Sequence, residues 1–77
     1  MDARITIFIE ENGAEYIAKI KDVPEVIGIG FTAKYALLDL LDVADNMRRM
    51  LSAYSADGNL SKNLEEKLKI LNELLGK

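Results

Sequence analysis

The sequence predicts an α+β domain of order β-β-β-α-α, a three-stranded antiparallel sheet with two helices packed on one face. Three observations predict it. Apolar residues alternate with period two through the first part of the chain, an Asn-Gly pair interrupts that alternation, and from about residue 33 the apolar period becomes helical.

Residues 4–10 alternate strictly. Ile5, Ile7 and Ile9 face one way, and Arg4, Thr6, Phe8 and Glu10 the other. Residues 14–21 alternate again, with Tyr16, Ala18 and Ile20 on one face. Asn12-Gly13 lies between the two runs and suits the two positive-φ positions of a type I′ hairpin turn. That turn would set Ile9 opposite Tyr16, Phe8 opposite Ile17, Ile7 opposite Ala18 and Ile5 opposite Ile20. Every residue of the apolar face then meets another apolar residue, and a slip of one position would break that match.

Asp22-Val23-Pro24-Glu25 reads as a turn, because proline lacks a donor and holds its predecessor extended. A third strand is expected over 26–31, with Gly28 and Gly30 on one face and Ile27, Ile29 and Phe31 on the other. Glycines there suggest a bulge or a close backbone approach. Gly28-Ile29-Gly30 lacks the third glycine of a dinucleotide-binding loop.

Thr32 is placed to cap a helix over 33–54. Ala33, Ala36, Leu37, Leu40, Val43, Ala44, Met47, Leu51 and Tyr54 form its apolar stripe, and Asp45 can pair with Arg49 across one turn. Residues 55–59 have loop composition. Ser61 is placed to cap a second helix over 62–75, with Leu64, Leu68, Leu71 and Leu75 on its face and Gly76 ending it. Both helices are expected on the Ile5/Ile7/Ile9 face.

Composition bounds the function. The 77 residues make one domain, 1–77, too small for a deep substrate cavity. Without cysteine or histidine there is no disulfide, no thiolate metal site and no imidazole base, and no cofactor is expected. Ten basic residues are scattered among thirteen acidic ones, for a net charge of −3, which argues against a nucleic-acid partner. Arg4, Lys19 and Lys21 do cluster at one end of the expected sheet. No apolar run approaches the length of a membrane span, and the first residues do not read as a signal peptide, so a cytoplasmic protein with no membrane partner is expected.

No catalytic constellation is visible, and an enzyme is not expected. Asp39, Asp42 and Asp45 recur every three residues and so drift around a helix instead of converging, as on a solvated face. Glu65 and Glu66 suit the positive end of the second helix. The informative residues are apolar ones left outside the core. Phe8 and Ile17 share the sheet face turned away from the helices, and Tyr35 and Leu38 sit among charges on the first helix. These four are the candidate partner-binding residues. Either another subunit or a different protein covers them, or Phe8 and Ile17 simply stabilise the sheet as cross-strand neighbours.

Residues 5–44 resemble the N-terminal domain of HicB-type antitoxins. The likeness runs through the Asn12-Gly13 hairpin and through Asp22-Val23-Pro24-Glu25-Val26, similar to the family's Asp-Leu-Pro-Gly-Cys turn. It continues through Gly30-Phe31-Thr32 into Ala36 and Leu40. Glu25 stands where that turn has glycine, and the family's DNA-binding domain is absent or reduced to the Leu64–Leu75 helix. The resemblance implies a partial ribonuclease-H-like fold and a protein that occludes a small basic toxin or nuclease. No catalytic residue carries over. Two other roles fit the same features: a phage-encoded inhibitor of a host defence protein, and a structural protein that self-associates as a homodimer.

Overall fold

A computed structural model describes residues 5–76. Three strands, β1 (Ile7–Asn12), β2 (Glu15–Ile20) and β3 (Val23–Gly30), precede two helices, α1 (Ala33–Ala56) and α2 (Lys62–Leu75). The strands form one antiparallel sheet in the order β1-β2-β3. This is the α+β architecture expected from the sequence. Arg4 lies outside the described residues.

The hairpin differs from expectation in its turn. The two loop residues are Gly13-Ala14, not Asn12-Gly13, and Asn12 pairs with Glu15. A type I′ turn needs two consecutive positive-φ residues. Here only Gly13 has one, at +66°, and no described non-glycine residue does. A lone positive φ at the first loop position is the type II′ pattern. The register therefore moves by two, pairing Phe8 with Lys19, Ile9 with Ala18 and Glu10 with Ile17. An even shift leaves every side chain on its face. Phe8 and Ile17 still share the outward face, as diagonal instead of opposing neighbours.

The second connection is also tighter than expected. Lys21-Asp22 form the turn and Ile20 pairs with Val23, so residues 23–25 belong to β3 and not to a loop. The next pair is Lys19 with Ile27, which leaves Pro24, Glu25 and Val26 as an unpaired bulge. Proline is tolerated there because no ladder donor is required of it. Val23 and Val26 are both buried, although residues three apart on a regular strand face opposite ways. The bulge reverses the alternation. Beyond it Val26, Gly28 and Gly30 face inward, and Ile27 and Ile29 face outward.

The two glycines set the position of α1. A Cβ on Gly28 would lie 2.6 Å from Leu40 Cα, and one on Gly30 2.5 Å from Ala36 N. The helix backbone thus rests almost directly on β3, as the glycines had suggested. Thr32 caps α1, its hydroxyl accepting from Tyr35 N at 3.1 Å. Ala36, Leu40 and Ala44 form the buried line against the sheet, completed by Ala18, Ile20, Val23 and Val26. Burying a side chain such as Leu40 is worth about 1.5–3 kcal/mol.

Ser61 Oγ accepts from Leu64 N at 3.3 Å and caps α2, and Gly76 closes it at φ +70°. α2 packs principally along α1, contributing Leu71 to the core with Leu64 and Leu68 beside it. Lys67 of α2 bonds Glu25 in the bulge, tying the helix back to β3. Cover on the inner face is uneven. α1 lies over β3 and β2 much more than over β1. Ile5 and Ile7 are half-buried against the core, but Ile9 is exposed. No described helix is long and apolar enough to cross a membrane.

Candidate protein interface

Among the described residues, no element packs on the outward face of the sheet. β1 contributes Phe8 and Glu10, β2 contributes Glu15, Ile17 and Lys19, and β3 contributes Ile27 and Ile29. The registers place these residues in two adjacent rows, Glu10–Ile17–Ile29 and Phe8–Lys19–Ile27. Phe8 is 48% exposed, Ile27 40%, Ile29 49% and the adjoining Phe31 78%, while Ile17 at the centre is half-buried. Taking about 200 Å² per large side chain, these residues leave roughly 400 Å² of apolar surface in water. That is as large as the biggest patch on a typical monomer, about 300–600 Å².

The face has electrical polarity along the strands. Glu10 and Glu15 lie toward the β1–β2 turn, whereas Lys19 and, just beyond the strand, Lys21 lie toward the opposite end. None of these four enters an ion pair among the described residues. Glu25, at the basic end, is already engaged. The hydrogen bond from Lys67, with help from its own backbone, holds its carboxyl below the usual carboxylate range despite a small desolvation cost.

Of the four candidate residues read from the sequence, Phe8 and Ile17 belong to this surface. Tyr35 and Leu38 are exposed but are carried by α1, which packs on the inner face, so they do not join it. Ile27, Ile29 and Phe31 share one strand face by alternation, but alternation alone does not add them to the candidate site. The signal was the glycine alternation: if a helix approaches the glycine face, the isoleucine face must be the uncovered one.

The aspartate row on α1 splits three ways. Asp39 accepts a hydrogen bond from Ile29 N at 2.9 Å and so occupies a donor on the free edge of β3. Asp42 is exposed. Asp45 holds Arg48 at 3.1 Å and, as expected, Arg49 at 2.7 Å. Partial burial pushes the Asp45 pKa up, and the two arginines more than offset it, leaving it lowered. Among the described residues no cluster of three His, Cys, Asp or Glu could hold a metal ion. The hydroxyls of Thr32 and Ser61 are committed to helix caps.

No family model, curated protein or solved structure matches this chain.

Proposed function

We propose that this chain is a protein-binding module acting in the cytoplasm, which presents the helix-free face of its sheet to another protein. The observation that carries this reading is the bulge-directed exposure of Ile27 and Ile29 beside Phe8 and Ile17. Together they make one largely apolar surface, in which Lys19 stands between Phe8 and Ile27, Glu10 beside Ile17, and Glu15 beyond them. The HicB resemblance in the Gly30-Phe31-Thr32 helix start supports an inhibitory or antitoxin role, with a small basic toxin or nuclease as the occluded partner. A phage-encoded inhibitor of a host defence protein would use the same surface.

The test is capture of partners from the source cell at physiological salt with the wild-type chain and with a Phe8→Ser/Ile17→Thr variant. The wild type should retain a specific protein that the variant loses, because binding energy concentrates in a few apolar anchors. Equal capture by both would sink the assignment of this face.

A further inference from the structure

We infer that the protein seated on this face is a second copy of the chain, packed sheet against sheet with its strands running in the opposite direction. The inference rests on the reading of the outward face as a protein interface and names its occupant.

The first support is charge. Two sheets can meet face to face about a twofold axis that runs either along the strands or across them. An axis along the strands would set Glu10 and Glu15 of one copy near the same acids of the other, and the lysines near lysines. An axis across them reverses the strand direction. With that axis between the Ile17 and Lys19 rows, Ile27 comes over Ile29 of the second copy. Glu15 comes over Lys21 of the second copy at both ends of the contact, and nearer the axis Glu10, over Phe8, comes beside Lys19. The face is thus self-complementary in one arrangement and repulsive in the other, and like-charge contacts suppress the wrong pairing. Glu25 does not disturb the basic end, since Lys67 holds it.

The second support is area. Roughly 400 Å² of apolar side chain per copy gives about 800 Å² for the pair. The charged ends bring the total near the lower bound of specific interfaces, about 1,200 Å². A contact of this size fits a reversible dimer. A different protein that docks on the same face then competes with the second copy.

The test is analytical ultracentrifugation of the chain over a wide concentration range at low and high salt. Wild type should show a monomer–dimer equilibrium that weakens with salt. The variants Glu10→Lys/Glu15→Lys and Lys19→Glu/Lys21→Glu, both verified as folded by circular dichroism, should each self-associate at least about tenfold more weakly. An equimolar mixture of the two should recover the dimer. A wild type that stays monomeric throughout, or a mixture that stays monomeric, overturns the inference. If the wild type is monomeric and Phe8→Ser/Ile17→Thr still abolishes capture of another protein, the second copy is wrong and the protein-binding face stands. A dimer untouched by Phe8→Ser/Ile17→Thr overturns the inference, and equal capture of another protein by wild type and variant overturns the interface reading with it.

Discussion

Gly28→Ala adds one methyl group at the tightest point of the fold. Its Cβ would sit 2.6 Å from Leu40 Cα and also inside contact distance of Ala36 O and Leu40 N. Carbon atoms settle about 3.5–4.0 Å apart, so α1 would have to lift by roughly 1 Å. No rotamer change can relieve the clash, because every atom met is helix backbone. Lifting α1 also loosens Ala36, Leu40 and Ala44, which seal the core over β3. Overpacking of this kind costs about 1–3 kcal/mol. At about 0.05–0.15 kcal/mol per residue, a domain of this size has roughly 4–12 kcal/mol in all, so one methyl removes a large share. Urea titration and thermal melting of the two proteins measure it, and each kcal/mol lost lowers Tm by about 4–8 °C. Gly58→Ala is the control. Its positive φ of +71° strains an added side chain by about 1 kcal/mol, but the new Cβ meets nothing within 4 Å, whereas Gly28 has no positive φ and its cost is the clash alone. A Gly28→Ala variant within about 0.5 kcal/mol of wild type would refute the direct seating of α1 on β3.

The outward face and the core should separate cleanly. Ile20→Ala, at a nearly sealed position, should cost about 2–5 kcal/mol. Phe8→Ser/Ile17→Thr should cost only about 1 kcal/mol while abolishing partner capture, and thermal melts beside the capture assay would expose the opposite pattern. Acid should weaken the tie between α2 and the bulge. Because the folded pKa of Glu25 is depressed, its contribution is complete above the usual carboxylate range and is lost as pH falls through the depressed value. The stability gap between wild type and Glu25→Gln, about 0.2–1 kcal/mol near neutrality for a pair whose carboxylate is exposed, should therefore close on acidification, and urea titrations at several pH values follow it.

The features legible in the sequence are those with a local physical cause. Thr32 and Ser61 satisfy orphan amides one turn ahead, Gly76 takes a left-handed cap, and the apolar stripes define α1 and α2. The strand faces were legible too, since an even slip in register leaves them unchanged. The turn residues were not. Asn12-Gly13 and Gly13-Ala14 both offer a glycine to a two-residue loop, and the pairing of Asn12 with Glu15 is settled along the whole ladder. The bulge was hidden for a similar reason. Val23-Pro24-Glu25 reads locally as a turn, and only the simultaneous burial of Val23 and Val26 turns it into strand. Of the candidate surface, Phe8 and Ile17 followed from alternation alone. Completing it with Ile27 and Ile29 required knowing which face of β3 receives the helix, a question about packing between distant segments.

The bulge also bears on why the face exists. Continued without interruption from Val23, regular alternation would turn Glu25, Ile27 and Ile29 toward α1 and the glycines toward water. Three unpaired residues reverse that arrangement, so two β-branched side chains stand half in water while glycines fill the core face. Leaving an isoleucine half-exposed forgoes on the order of 1 kcal/mol of burial. In the isolated chain that energy is not recovered by any described contact. A second surface laid on the sheet would recover it. Ile29→Thr separates the two states, because threonine keeps the β-branch that suits a strand and loses the apolar contact area. The isolated domain should stay within about 0.5 kcal/mol of wild type by urea titration at concentrations where it is monomeric. Association with the occupant of the face should weaken by on the order of tenfold, since Ile29 lies in the same row as Ile17 at the centre of the patch. A loss of more than about 2 kcal/mol in the monomer would mean that Ile29 is buried within its own chain, and the outward face would not be the interface.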